Sequence, residues 1–326
     1  MTKTSIEYLD FTSNPIVGCD MSLPCAERCW ARRMARRLKA CGMRGYENMV
    51  DSEGRWTGRV VFHQAEFLKL ARRKKPAVVG LCFMADAFRD EVPDDWLDQM
   101  FGVVAWCSHL KFILPTKRVR RLRQYSEGLA QLTRQQRGVR MVRAKGYNVP
   151  GDTPGGMDWP LPNLALMLSA SNQAELDARM PDFLATPTAL RVLSLEPMVG
   201  AVDPGHVMWG NSQYDALTNG KDNEGGRLPH FDWVICGGES GPGARPMVPE
   251  WPRKVRDDCV AAGVPFTFKQ WGEWSPAPYD PALVSARYAD VPIGDGTHHR
   301  MFRVGKKATG RVLDGKVWDQ RPEGWG

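Results

Sequence analysis

Six short runs of apolar residues recur along the chain, and each run ends in polar residues or glycine. A segment with the length and patterning of a helix follows most of them. Because these runs are apolar on both faces, they are typical of parallel strands that are buried on both sides. The runs lie at residues 78–84, 111–114, 164–168, 190–195, 232–236 and 265–268.

This alternation of buried strands and helices predicts an α/β protein. About six or seven parallel strands suit a complete or partial (β/α) barrel, in which the chemistry takes place at the carboxyl ends of the strands. We expect the barrel domain to span residues 1–275, with irregular insertions at about 124–163 and 211–229. The segment 276–326 is rich in proline, glycine and aspartate, and we expect a loosely built C-terminal extension.

Polar residues at the ends of the predicted strands are candidates for one shared site. Their convergence supports such a site better than any single residue does, because strand ends are polar in any α/β protein. The glycine-rich turn at 237–243 lets backbone amides approach a ligand, although tight turns without a ligand are about as common. The candidates are Asp86, Thr116, Lys117, Ser169, Ser171, Asn172, Glu196, Gly237, Gly238, Glu239, Lys269 and Gln270.

Three cysteines, Cys19, Cys25 and Cys29, lie close together after a predicted short strand at 14–18. Several thiolates in one place are typical of an iron–sulfur cluster or a zinc ion. Three ligands on a four-iron cluster leave one iron open to a small molecule, whereas structural zinc would take a fourth ligand such as Cys41 or a histidine. Chance clustering is the remaining alternative, because single cysteines often serve as small core residues.

A helix is predicted directly after the last of these cysteines. Trp30, Met34 and Leu38 recur at helical spacing, and arginines occupy the other face. The positive end of the helix dipole would stabilise thiolates or an anionic cluster at its N-terminus.

The composition is that of a globular protein, with 43% hydrophobic and 25% charged residues among 326. This length suits one large domain or two ordinary ones. No stretch is apolar for long enough to cross a membrane, and the first residues lead into Glu7 and Asp10 rather than into an apolar export segment. We therefore expect a cytoplasmic protein with no membrane partner, whose eight cysteines are reduced thiols or metal ligands.

The net charge is +7, and the basic residues concentrate in the first half of the chain. A polyanionic partner such as nucleic acid explains this distribution about as well as a set of solvated helix faces does. Tyr125, Tyr147 and Trp159 lie among or near the arginines of the first predicted insertion. Their rings could hold nucleic acid by stacking on its bases.

Several stretches of the chain match, in order, the motifs of one known family. They include Asn-Pro-Ile-Val-Gly-Cys at 14–19, Met-Ala-Asp-Ala-Phe at 84–88, Thr-Lys-Arg at 116–118, Trp-Pro-Leu-Pro-Asn at 159–163, Leu-Glu-Pro-Met at 195–198, Gly-Gly-Glu-Ser-Gly-Pro-Gly at 237–243 and Phe-Lys-Gln-Trp-Gly at 268–272. From about residue 9 to residue 275 the chain resembles the phage-associated three-cysteine family of radical-SAM-like proteins, long of unknown function.

This chain departs from the family pattern at three points. The family commonly places the middle cysteine one residue later than Cys25. Typical radical-SAM motifs have an aromatic residue before the last cysteine, whereas here Arg28 precedes it and Trp30 follows. The residue before Asn172-Gln173, often acidic in the family, is Ser171.

The resemblance implies a radical S-adenosylmethionine enzyme with a radical-SAM-like barrel. In such enzymes a 4Fe-4S cluster, here on Cys19, Cys25 and Cys29, binds S-adenosylmethionine, and an electron from a reductase or flavodoxin-type donor cleaves it to a radical that takes hydrogen from the substrate. The phage association suggests DNA as the partner and a modified thymine as the substrate, for example an amino-acid-substituted base that an isomerase rearranges. A base in a duplex would have to flip out.

The location of the candidates at the strand ends and beside the cysteines suggests a role for each of them. The expected cofactor-binding residues are Trp30, Asp86, Ser169, Ser171, Asn172, Gly237, Gly238 and Glu239, and the expected catalytic residues are Lys117, Glu196, Lys269 and Gln270. The alternatives are a zinc-stabilised nucleic-acid-binding protein and a radical enzyme that acts on a small molecule.

Overall fold

The structure, a computed structural model, describes residues 1–144, 156–218, 228–276, 287–293 and 296–325. The chain divides into two compact units. The first unit comprises residues 1–167 and 185–190, and the second comprises residues 168–184 and 191–326. The middle parts of the two predicted insertions, 145–155 and 219–227, lie outside the described residues.

Strands and helices alternate along the first unit. Its strands are β1 (Thr2–Lys3), β2 (Phe11–Ser13), β3 (Ile16–Val17), β4 (Val61–Phe62), β5 (Ala77–Leu81) and β6 (Leu110–Thr116), and β7 (Leu164–Ser169) has residues in both units. Its helices are α1 (Trp30–Ala40), α2 (Ala65–Ala71), α3 (Asp94–Trp106), α4 (Val119–Ala130) and α5 (Arg134–Ala144).

The predicted strands of the first unit are confirmed. β5 is buried throughout and pairs in parallel with β2 on one side and β6 on the other. Continuous apolar runs form such strands because both faces are covered. β2 escapes prediction because it has only three residues, two of them half-buried, and therefore carries no apolar run.

The second unit holds the remaining predicted strands. Its strands are β8 (Leu190–Leu195, whose first residue belongs to the first unit), β9 (Val207–Trp209), β10 (Ser212–Tyr214), β11 (Trp233–Gly237), β12 (Phe266–Gln270), β13 (Trp274–Ser275), β14 (Tyr288–Pro292), β15 (His298–Arg303), β16 (Val312–Leu313) and β17 (Lys316–Val317), and its helices are α6 (Gln173–Leu184), α7 (Glu250–Ala262) and α8 (Lys306–Thr309). β11 pairs in parallel with both β8 and β12.

The protein is therefore a mixed α/β protein. Among the described residues, the first unit pairs β1, β2, β5 and β6 side by side, and the second unit pairs β8, β11 and β12. Within these two sets of strands every pair except the antiparallel β1–β2 is parallel, which is consistent with the partial β/α barrel that we expected. No helix in these residues combines the length and the hydropathy that a membrane crossing requires.

Residues 124–144, which we expected to be irregular, lie largely in α4 and α5. Leu122, Tyr125 and Leu129 of α4 are buried at helical spacing, a signal that the neighbouring arginines at 120, 121 and 123 obscured. Tyr125 is only 3% exposed, and its hydroxyl donates a hydrogen bond to Asp98. The expectation that Tyr125 stacks on nucleic acid is therefore wrong, and Tyr147 lies outside the described residues. Trp159 packs edge-on against Phe101.

The described part of the C-terminal segment is better ordered than we expected. Residues 318–320 run antiparallel to β12, and the Phe268 N–H donates to the Trp318 carbonyl at 2.9 Å. The Thr267 hydroxyl donates to the Gln320 carbonyl at 2.7 Å. Because an exposed strand edge presents unpaired backbone groups, this segment satisfies donors that β12 would otherwise leave open.

Candidate functional site

The three cysteines of the predicted metal site lie together in sequence at the start of the first unit. Cys19 follows β3, Cys25 lies in a 3-10 turn at Pro24–Arg28, and Cys29 is the N-cap residue of α1. All three are half-buried, and none forms a disulfide. Cys19 and Cys29 pack against one small core cluster of the unit.

Gly18 connects the cysteine loop, through backbone contacts, to the segment that follows β5. Its N–H donates to the Met84 carbonyl at 3.2 Å, and it forms a parallel bridge with Ala85. Its φ is +104°, and a Cβ at this position would lie 2.1 Å from the carbonyl oxygen of Arg59. Only glycine combines this backbone conformation with so close an approach, so the residue before Cys19 is dictated by the fold.

Asp20 forms a charged clamp on the same loop. Its carboxylate contacts the Nε of Arg89 at 3.0 Å and the Nη2 of Arg118 at 2.6 Å, and it accepts hydrogen bonds from the amide and hydroxyl of Ser22. Burial opposes ionisation of Asp20, but the hydrogen bonds from Ser22 and then the two guanidinium groups outweigh it and hold the pKa below its ordinary value. The clamp joins the loop to residues that follow β5 and β6.

Arg89 is the most deeply buried member of this clamp, with no exposed side-chain area. Its Nη2 also contacts Glu91 at 2.9 Å and donates to the Gly58 carbonyl, and Gly58 in turn donates its N–H to the carbonyl of Cys19. We did not predict Asp20, Arg89 or Arg118 as site residues. The sequence holds no signal for them, because the sequence pattern does not distinguish a buried arginine from the exposed arginines around it.

Asp86 joins the ends of two neighbouring strands. Its Oδ1 accepts hydrogen bonds from the Thr116 hydroxyl at 2.7 Å and the Phe88 amide, and its Oδ2 accepts one from the Lys117 amide at 2.8 Å. The carboxylate therefore holds the carboxyl end of β6 beside the chain that leaves β5. Its predicted contact with a cofactor stays a prediction, as does the catalytic role of the half-buried Lys117.

The cysteine set has the donor chemistry of a thiolate-bound metal group. Burial, and after it the nearby Asp86 carboxylate, raises the pKa of the Cys19 thiol to about 12, so a cation is needed to hold it as a thiolate. Within the residues that the structure describes, no group of three or more histidine, cysteine, aspartate or glutamate side chains is arranged to hold a metal ion. The cysteines fit a metal group in their donor chemistry and in their spacing along the sequence, but their sulfurs are not placed together for shared ligation.

An ion pair lies at the strand ends of the second unit. Lys269 Nζ is 2.6 Å from Glu196 Oε1, and the two side chains are only 17% and 15% exposed. Glu196 directly follows β8 and Lys269 lies in β12, with β11 between these strands. At Gly237, the last residue of β11, an added Cβ would lie 3.3 Å from Glu196 Oε1 and 3.4 Å from Lys269 Cβ. Glycine here keeps the pair uncrowded.

Two further polar side chains belong to this strand-end group. The Ser194 hydroxyl donates to Glu196 Oε2 at 3.3 Å, a contact that we did not predict. Gln270 is 6% exposed, and its Oε1 has no hydrogen-bond partner among the described residues. A buried acceptor without a donor costs about 1–3 kcal/mol, so this oxygen is suited to a donor on a bound molecule.

The glycine-rich turn after β11 is held by packing and by an internal ion pair. Arg245 donates to both carboxylate oxygens of Glu239 through its guanidinium, at 2.9 and 3.0 Å, and its backbone amide donates as well. A Cβ on Gly238 would lie 1.9 Å from the Trp271 carbonyl oxygen. Gly238 and Glu239 therefore have structural roles in this turn, and their contact with a cofactor stays a prediction.

Asn172 caps α6 in the manner of a capping box. Its side-chain oxygen accepts the Glu175 amide at 3.0 Å, and Glu175 Oε2 in return accepts the Ser171 amide at 3.0 Å. Arg179 donates to Glu175 and to the carbonyl of Ser169. The spacing of Asn172 and Glu175 is a helix-start signal that the sequence does contain. The cofactor contacts predicted for Ser169, Ser171 and Asn172 stay predictions.

Within each unit, the structure thus brings part of the predicted site together. In the first unit, Cys19 lies near the Asp86 carboxylate, which also accepts the Lys117 amide, and Trp30 follows Cys29 with 47% of its area exposed. The second unit collects Glu196, Gly237, Lys269 and Gln270 at its strand ends.

Comparison with known proteins places the chain in a family. No curated protein and no solved structure matches it. A family model described as "Protein of unknown function (DUF5131)" matches residues 3–322, which is nearly the whole chain. The chain therefore belongs to the DUF5131 family.

Proposed function

We propose that this protein is a radical S-adenosylmethionine enzyme that modifies a nucleobase in DNA. The observation that carries the proposal is the cysteine loop, with three half-buried thiols outside any disulfide on a segment fastened to the chain after β5. When bound to Cys19, Cys25 and Cys29, a 4Fe-4S cluster supplies the electron that reductively cleaves S-adenosylmethionine. That electron comes from a partner such as a reductase or a flavodoxin-type protein.

The N-terminus of α1, at the end of the loop, suits a negatively charged group. Cys29 caps α1, and the free amides and dipole of a helix N-terminus favour negative charge. The Asp20 clamp with Arg89 and Arg118 holds the loop against two strand ends. These features support a site that is built to keep its ligands in place.

The finer part of the fold assignment belongs to this proposal as well. Parallel strands with polar carboxyl ends are what a radical-SAM-like barrel needs, because chemistry on such sheets lies at those ends. Both units contribute such strands.

The strand-end group of the second unit is suited to holding a base. Lys269 donates, Glu196 accepts, and the buried Oε1 of Gln270 accepts. A nucleobase edge presents donors and acceptors side by side, and an extruded base is bound through such contacts. An amino-acid-substituted thymine, rearranged by the radical, is the substrate that we propose.

The deciding experiment is anaerobic purification with quantification of iron, sulfide and zinc. Reduction in the presence of S-adenosylmethionine and an assay for 5′-deoxyadenosine follow. We expect about four irons per chain and deoxyadenosine formation, and we expect both to be lost in Cys19→Ala. Cys41→Ala is the matched control, because Cys41 is exposed and has no role in the proposed cluster.

Other outcomes point to the alternatives. Zinc without iron, lost equally in Cys19→Ala and Cys41→Ala, would replace the proposal with a zinc-stabilised binding protein. Cluster and deoxyadenosine without any modified base in DNA substrates would leave a radical enzyme for a small molecule.

A further inference from the structure

One face of α1 presents a cation and two large apolar side chains to solvent together. Trp30 is 47% exposed and Met34 is 37% exposed, and the exposed Arg37 shares their face at the i+7 position from Trp30. We call these three residues the α1 face. The helix contains five arginine and lysine residues and no acidic residue.

The cations of α1 divide into two groups. Arg32 donates to the Glu27 carbonyl at 2.9 Å, Arg33 donates to the Arg28 carbonyl at 3.1 Å, and Lys39 donates to the Val50 carbonyl at 2.7 Å, so these three serve the fold. Arg36 and Arg37 are exposed. The exposed guanidinium of Arg37 thus lies on the same helix face as the exposed indole ring of Trp30.

We infer that the α1 face binds single-stranded DNA. Exposed arginines attract phosphates, and an exposed tryptophan ring stacks on a base, a combination typical of single-strand binding. A duplex keeps its bases stacked away from such a ring. A membrane-bound helix needs a broad apolar face, whereas α1 exposes only two large apolar side chains. The inference rests on the nucleic-acid part of the proposed function and not on its cluster chemistry.

The test is fluorescence anisotropy with labelled oligodeoxythymidine of about 16 nucleotides and the full chain, over a series of salt concentrations. Each lost phosphate contact reduces the slope of log affinity against log salt by about 0.7 for single strands. Arg37→Gln should therefore weaken binding and reduce that slope by about 0.7. Lys75→Gln is the matched control, because it removes one exposed charge elsewhere in the same unit.

A second variant tests the stacking. Trp30→Leu keeps an apolar side chain and removes the ring, and we expect roughly 5- to 150-fold weaker binding with an unchanged salt slope. Metal content and the circular dichroism spectrum, compared with wild type, show whether the variant is folded.

The inference fails if Arg37→Gln and Lys75→Gln weaken binding equally, which would indicate only a net charge effect. It also fails if duplex DNA, an RNA strand or anionic phospholipid vesicles bind more tightly than the single strand. Absence of DNA binding with deoxyadenosine still formed would refute this interface and leave the radical chemistry standing.

Discussion

Replacing Asp20 by asparagine tests whether the charged clamp holds the cysteine loop. The change keeps the size of the side chain and removes the negative charge that faces Arg89 and Arg118. Arg89 is fully buried, so water cannot replace the lost carboxylate as a partner of its guanidinium. The expected effect is therefore a loss of folding stability together with local opening of the loop.

The size of the stability loss depends on how exposed Asp20 is and on which contacts Arg89 keeps in the variant. Removing one partner of a buried ion pair costs about 3–5 kcal/mol. Asp20 is 19% exposed, and Arg89 retains its contacts with Glu91 and the Gly58 carbonyl, which places the cost nearer to about 2–3 kcal/mol. Glu91→Gln is the matched control: it removes a carboxylate from the same guanidinium, but Glu91 is 58% exposed, so its loss should cost at most about 1 kcal/mol.

Two assays measure the effect. Urea unfolding of the metal-free chain gives the difference in free energy, and the rate of thiol labelling at Cys19 reports loop opening. If the loop opens locally, a cost of about 2 kcal/mol corresponds to labelling about thirty times faster. Equal unfolding midpoints for Asp20→Asn and Glu91→Gln, with unchanged labelling, would refute the reasoning.

The effect of Asp20→Asn should also depend on pH. The pKa of Asp20 is lowered in the folded protein, so its stabilising contribution is complete above the unfolded value of about 3.9. It is lost as the pH falls through the lower folded value. The difference in the free energy of unfolding between wild type and Asp20→Asn should therefore stay constant from about pH 7 to about pH 5 and shrink in stronger acid.

Two further predictions concern the second unit and its backbone. In a double-mutant cycle by urea unfolding, Lys269→Met and Glu196→Gln should show a coupling above about 1 kcal/mol, because each change alone removes the ion-pair partner of a largely buried charge; additive effects would contradict this. Gly238→Ala should lower the free energy of unfolding by about 1–3 kcal/mol, because the added methyl group clashes with the Trp271 carbonyl. Gly128→Ala is the control: the space around its added methyl group is open, and the change should stabilise α4 by roughly 0.5–1 kcal/mol. Equal unfolding midpoints for the two variants would argue against the tight turn at Gly238.

The main strands were predictable from the sequence because their signal is local. The run at 190–195 coincides with β8, and the run at 164–168 with all but the last residue of β7. A strand buried on both faces must be apolar at successive positions, whatever its neighbours are. The helix predicted from Trp30 is confirmed as α1, since its apolar residues recur with helical spacing. The cysteine cluster was equally visible, because it depends on spacing alone.

The roles of individual polar residues were not predictable in the same way. Asp86, Asn172 and Glu239 look alike in the sequence as polar residues after a strand, yet each is held by hydrogen bonds inside the protein. Asn172 alone carried a local signal, the glutamate three residues later. Besides the nearby Phe88 amide, Asp86 accepts from Thr116 and Lys117, which lie 30 and 31 positions away. Glu239 accepts from Arg245, six positions later.

The sequence by itself thus determined the α/β class, most strands of the sheet and the three thiols at the start of α1. Only the tertiary structure decided which charges are used internally and which face solvent. Arg89 is buried against Asp20, and Arg37 is exposed, although the two residues are chemically identical. The physical reason is that burial and pairing depend on which distant segments meet, whereas secondary structure follows largely from neighbouring residues.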